Sequence, residues 1–200
     1  MLNVLTAHGA EAAPFIKHYA MTSVTSAYDQ IYFEGKSVRA LVTGQGGGQS
    51  GASLSKFCDG LPGSRNDCWL NFGLAGSSQF PLGQLVSGTE IEGPNTGQVH
   101  LQGWPQDVLQ PLIPATIVRT VENPDHTYEL EGVYEMEAAI LHAALLKHDY
   151  HRNLAVIKLV SDGPERSAVN IKKQDMIKII ANNSSLLTRL SDILLRSIGT

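Results

Sequence analysis

Apolar runs of strand length recur along this chain, and most of them lead into a segment of helical periodicity. Leu2–Thr6, Cys68–Phe72, Gln84–Ile91, Thr116–Val121 and Asn153–Val160 are such runs. Apolar positions return at helical spacing in Ala10–Tyr19, Ala52–Cys58, Met136–Leu146 and Lys172–Ser197. Strands that alternate with helices predict a layered α/β fold. One pair departs from the alternation. Ile31–Phe33 and Ser37–Thr43 flank the polar turn Glu34-Gly35-Lys36, which predicts a hairpin and so a mixed sheet. The stretch Glu92–Gly103 is rich in Gly, Pro and Asn and reads as a loop or short hairpin. With no linker and no internal repeat, residues 1–200 are expected to form one domain, a three-layer αβα sandwich around a central mixed sheet.

At 42% hydrophobic and 17% charged residues, the 200-residue chain lies outside the range of disordered sequences. Its net charge of −4 supplies no overall basic field for a nucleic-acid backbone. The opening MLNVLTAHGAEAAPF lacks a cationic start and a long apolar core, so no secretory leader is expected. No run approaches the roughly 18 apolar residues of a membrane span. These features predict a cytoplasmic protein in which Cys58 and Cys68 are free thiols.

Gly46-Gly47-Gly48-Gln49-Ser50-Gly51 satisfies GxGxxG between a strand and a helix. A dinucleotide site would also need an acid at the end of the next strand, where Asn71-Phe72 stands instead. The motif therefore predicts a tight strand-to-helix turn in which glycines permit close packing, with direct phosphate binding as the alternative. Three acids occupy more telling positions. Glu11 follows the first strand, Glu137 begins a helix, and Asp162 follows the last strand. Ligands of open α/β sheets gather outside the carboxyl ends of strands, so these carboxylates are placed to converge on one crevice. Each also has a structural alternative: Asp162 as a turn residue, and Glu11, Glu135 and Glu137 as acids favoured at a helix N-terminus. His8 and His126 fall where a ligand is expected, while His142, His148 and His151 show no metal-ligand spacing. Trp69, Trp104 and the stripe from Ile171 and Met176 through Leu186 to Leu194 read as packing residues.

Five segments, in order, resemble the purine nucleoside phosphorylase/nucleosidase superfamily. They are Val4–Glu11 with Pro14-Phe15, Thr43-Gly44-Gln45-Gly46, Asn71-Phe72-Gly73-Leu74-Ala75-Gly76 with Leu82-Gly83-Gln84-Leu85-Val86, Val133-Tyr134-Glu135-Met136-Glu137-Ala138-Ala139, and Val156–Asp162. The match spans nearly the whole chain and is nearest to the 5′-methylthioadenosine/S-adenosylhomocysteine nucleosidases. The resemblance implies cleavage of the N-glycosidic bond of a purine nucleoside, with no cofactor and no metal, in a homo-oligomer. Asp162 would protonate the base, Glu137 would hold ribose hydroxyls, and Glu11 would activate water. Met136, Ala75, Gly76, Asn123 and Ser161 would complete the substrate site.

Phosphorylases of the superfamily grip phosphate with arginines and a serine. The matching positions here carry Glu11, Asn71 and Leu74, which favours water as the nucleophile. Arg119 and Lys158 remain as possible sources of positive charge. Phosphorolysis, and nucleoside binding without turnover, are the alternatives. The chain departs from the pattern in three places. It is short between Ile91 and Thr116, it has Glu122-Asn123-Pro124 where a base-stacking aromatic is expected, and it has Lys158 in place of an arginine.

Overall fold

A computed structural model describes residues 1–26, 28–60, 66–94, 96–101, 103–123, 128–165 and 170–198. The apolar runs form β1 (Leu2–Thr6), β5 (Cys68–Gly76), β6 (Leu85–Gly93), β8 (Ala115–Thr120) and β10 (Leu154–Asp162). Glu34-Gly35-Lys36 joins β3 (Ile31–Glu34) to β4 (Val38–Val42) as an antiparallel pair, as expected. Of the three remaining strands, β2 (Thr22–Thr25) and β9 (Val133–Glu135) lie outside the sequence expectations, while β7 (Gly97–His100) pairs antiparallel with the end of β6 as the short hairpin that Glu92–Gly103 allows. Two of them, β2 and β7, are short and largely exposed edge strands, which leave little apolar signal. The segment that reads as shortened, Ile91 to Thr116, contains the antiparallel β6–β7 pair and a one-turn helix, α3 (Gln106–Leu109).

All ten strands belong to one mixed sheet, in the order β10-β6-β8-β9-β5-β1-β4-β3-β2 with β7 on β6. The two ends of part of this order also meet, because β10 pairs with β5 as well as β6. Strands β5, β10, β6, β8 and β9 therefore close a ring of pairings, and β1–β4 extends from β5 as a parallel wing. The parallel register aligns the carboxyl ends of β1, β5 and β10.

Helices cover both faces. On one side α2 (Gly47–Gly60) and α4 (Ala138–Lys147) pack with Leu5, Trp69, Val156 and Val160. On the other, α1 (Gly9–His18) and α5 (Lys173–Arg196) pack with Val4, Leu70, Ile157 and Leu159. Neighbouring residues of β5 and β10 thus enter opposite cores, as the two-residue period of a strand requires. Both faces being covered explains why β10 is buried at every position and reads from Leu154 to Val160 as an apolar run broken only by Lys158. This is the αβα arrangement around a mixed sheet that the alternation predicts.

The amphipathic stripe of α5 divides in two. Ile180, Leu187, Leu190 and Leu194 are core, whereas Leu186 is exposed. Ile171 and Met176, at the N-terminal end of the stripe, line the main cavity instead. Trp69 is buried between Phe57, which meets it edge-on, and Tyr150, which stacks on it. Both cysteines are buried and free. No helix among the described residues is long and apolar enough to cross a membrane.

Candidate active site

A cavity of about 780 Å³ opens at the carboxyl ends of β1, β5 and β10. Glu11, Glu137 and Asp162 all lie on its wall, together with Met136, Ala75, Gly76 and Ser161. Of the residues that the sequence placed at a substrate site, only Asn123 is off this wall. The lining from that segment is Val121, the residue immediately after β8. His8 is on the wall, and His126 lies outside the described residues.

Glu11 is both a first-turn acid and a cavity residue. One carboxylate oxygen accepts the backbone N–H groups of Ala7 and His8 at 2.9 Å each, satisfying free donors at the start of α1. The other oxygen accepts the Leu74 N–H of β5 at 3.1 Å. Three backbone donors from two elements therefore hold a carboxylate that is 2% exposed.

Glu135 and Glu137 divide two tasks that their spacing left open. The Glu135 side chain turns inward and caps α4, accepting the N–H groups of Glu137 and Ala138. It also accepts the Thr120 hydroxyl at 2.6 Å and pairs with Lys158 at 2.8 Å, both Glu135 and Lys158 being fully buried. Lys158 is thereby committed beneath the site. Arg119 is committed elsewhere, in an ion pair with Glu92 and a bond to the Glu131 carbonyl. Neither cation lines the cavity, so neither offers an anion there a direct contact.

Glu137, at the cap position of α4, lines the cavity as Glu135 does, but its carboxylate is held by a different partner. Its Oε1 accepts the Gly46 N–H at 2.8 Å. Burial pushes this carboxyl up to about 7, with the nearby Glu135 charge adding to the shift and Lys158 and the Gly46 N–H opposing it.

The same bond gives the glycine motif its purpose. Gly44 and Gly46 have positive φ, which turns the chain from β4 into α2. A side chain at Gly47 or Gly51 would press on Ile140 of α4. Bare backbone at these positions lets α2 lie close against α4, and the turn delivers its amide to Glu137. The motif serves packing and positioning, as the turn reading predicts. Gln45, in the same turn, donates to the Met136 sulfur at 3.7 Å.

Asp162 ends β10 and is 5% exposed. Its Oδ1 accepts the Ser161 hydroxyl at 2.5 Å, and its Oδ2 accepts the Tyr128 hydroxyl at 2.5 Å. No apolar periodicity marks Tyr128, which follows a polar connection, so the sequence carries no signal of it. A Cβ on Gly76 would overlap both the Asp162 carboxylate and the Tyr128 hydroxyl. Gly76→Ala is therefore expected to cost about 1–3 kcal/mol of stability and to displace Asp162. A melting temperature equal to that of the parent would show that the site yields without strain. Gln45, Tyr134, Glu135, Ile171, Lys173 and Met176 also line the wall, and the sequence placed none of them at the substrate site.

Neither a family model nor a curated protein matches the sequence. Solved structures do match, at low identity. Apo 5′-methylthioadenosine nucleosidase of Arabidopsis thaliana superposes with a TM-score of 0.79 at 13% identity, over 96% of this chain and 95% of that one. This chain has the nucleosidase fold. Futalosine hydrolase of Helicobacter pylori matches with a TM-score of 0.73 at 11% identity, over 98% and 97% of the two chains. An aspartate-to-asparagine mutant of the Helicobacter pylori methylthioadenosine/S-adenosylhomocysteine nucleosidase, with 5′-methylthioadenosine in its active site, matches with a TM-score of 0.75. That pair is 11% identical over 96% and 97% of the chains. The nucleosidase fold thus stands at identities far too low for a sequence match.

Proposed function

We propose that this chain is an N-glycosidase that hydrolyses a purine nucleoside of the methylthioadenosine or S-adenosylhomocysteine type, releasing free base and free sugar. The observation that carries the reading is the convergence of Asp162, Glu137 and Glu11 on one cavity at the strand ends. Cleaving the bond between the sugar and the base nitrogen leaves positive charge on the ribose and negative charge on the base. A proton passed from Asp162 to the purine N7 neutralises the leaving base. The ionised Glu137 accepts ribose hydroxyls and stabilises the cationic sugar, and Met136 packs against it. Water adds to C1′ on the face opposite the base, with its proton passing to Glu11.

Water, rather than phosphate, suits this wall. Among the described residues the cavity presents four acids, Glu11, Glu135, Glu137 and Asp162, and no arginine, and its basic groups are His8 and Lys173. A dianion at Glu11 would meet a carboxylate already fixed by three backbone donors. Base release is therefore expected to proceed at the same rate with and without inorganic phosphate. The sugar product decides: ribose 1-phosphate would assign the chain to the phosphorylases, and no release at all would leave nucleoside binding alone. By likeness of fold we also expect one domain over residues 1–200 and a cytoplasmic homo-oligomer, which light scattering on the purified chain would read.

A further inference from the structure

We propose that Tyr128 is a positioning residue for Asp162, holding its carboxyl so that the proton-bearing edge faces the base. The inference rests on the nucleosidase reading and adds to it a residue outside the cavity wall. Tyr128 reaches Asp162 Oδ2 across the bare backbone of Gly76, while Ser161 holds Oδ1 from the other side. Asp162 lines the cavity and Tyr128 is not among its lining residues, so the phenol reaches the carboxyl without forming part of the wall.

The phenol is itself fixed by its surroundings. The Tyr128 carbonyl accepts the Ser78 hydroxyl at 3.3 Å. Two residues on, the Tyr134 hydroxyl donates to the Leu130 carbonyl at 2.9 Å and accepts the Leu130 N–H at 2.8 Å. Gly132 is tied to the turn after β5 by Ser77 and Gln79. The Tyr128 ring meets Tyr134 edge-on at 5.5 Å. A segment stitched at so many points delivers one hydroxyl to one carboxylate oxygen.

The chemical consequence follows from where charge develops. When the Asp162 proton passes to the base nitrogen, the carboxyl gains a negative charge. Two hydroxyl dipoles already aimed at its oxygens stabilise that charge without rearrangement. A hydrogen bond to a charged group is among the stronger ones, so losing the Tyr128 hydroxyl should slow the step about 10- to 100-fold.

The test compares the parent, Tyr128→Phe, Asp162→Asn and the double variant, in methylthioadenosine hydrolysis and in adenine binding by calorimetry. Tyr128→Phe keeps the ring and its contact with Tyr134. It is expected to lower kcat about 10- to 100-fold with little change in KM, and to weaken adenine several-fold. In the Asp162→Asn background the same change is expected to cost nothing further, because the group it serves is gone. Losses that multiply in both backgrounds, with a lower melting temperature, would make Tyr128 a support of the fold only and overturn the proposal. An unchanged kcat in an active parent would overturn it too. Should the parent bind adenine and cleave nothing, the nucleosidase reading falls, and the calorimetric cycle alone decides Tyr128: coupling upholds it and additivity rejects it. A parent that binds no adenine overturns both.

Discussion

Asp162→Asn is expected to lower kcat about 100-fold or more while nucleoside affinity stays within a few-fold of the parent. The substitution keeps the shape of the side chain. The amide oxygen still accepts one hydroxyl, and the other hydroxyl can turn to accept from the amide nitrogen. What disappears is the transferable proton. Without it the base must leave as an anion, and about 3 kcal/mol or more of barrier returns. Steady-state kinetics with methylthioadenosine, set beside calorimetry on the same ligand, separates the proton from the contact. Equal turnover in parent and variant would remove Asp162 from the mechanism. Affinity lost in parallel with turnover would make it a binding residue instead.

The second large effect is expected at Glu137, where activity and stability should move in opposite directions. Glu137→Gln removes the charge facing the sugar and alters the hydroxyl contacts, so kcat/KM should fall about 100- to 1000-fold. The rise of parent activity through about pH 7, where this carboxyl ionises, should vanish in the variant. Stability runs the other way. The carboxyl is raised from near 4.5 to about 7 in the folded chain. Between those values the folded chain holds a proton that the unfolded chain has released, so stability falls as the pH rises through this window. Above pH 7 the ionised, buried Glu137 costs the fold on the order of 3 kcal/mol. Glutamine carries no such charge, and its amide oxygen can still accept the Gly46 N–H. The variant should therefore melt higher than the parent at pH 8 and converge with it near pH 4.5. Melting curves of equal height at pH 8 would show that the ionised carboxylate is solvated well enough to cost nothing.

This opposition has a physical source. A carboxylate that must stabilise a cationic sugar is most effective where water is excluded, and the same exclusion disfavours its charge before substrate arrives. The protein reduces that cost locally. Gly46 brings an amide to the carboxylate, and Lys158 lies buried below it. Lys158 is paired with Glu135 and does not reach the cavity, so it moderates the field of the site without binding substrate.

Sequence alone determined what depends on local pattern. Apolar runs and helical periodicity located β1, β5, β6, β8, β10 and the long helices, because a strand covered on both faces is largely apolar and a packed helix carries a stripe. The order of acids after strands placed Glu11 and Asp162 at one end of the sheet, since β1, β5 and β10 run parallel and share a carboxyl edge. Glu137 follows β9, which runs antiparallel to β5, and only the fold brings it to the same cavity. Contacts between distant segments were decided only in three dimensions. Glu135 and Glu137 are two residues apart and both line the cavity, yet one caps a helix and pairs with Lys158 while the other takes the Gly46 amide. Asn123 was expected at the substrate site, but the cavity lining from that segment is Val121. Tyr128 takes its place at Asp162 because Tyr134, Ser77, Ser78 and Gln79 fasten its segment there. Periodicity reports which side of an element is buried; a hydrogen bond between loops depends on where the whole fold brings their ends, and no spacing within either loop records it.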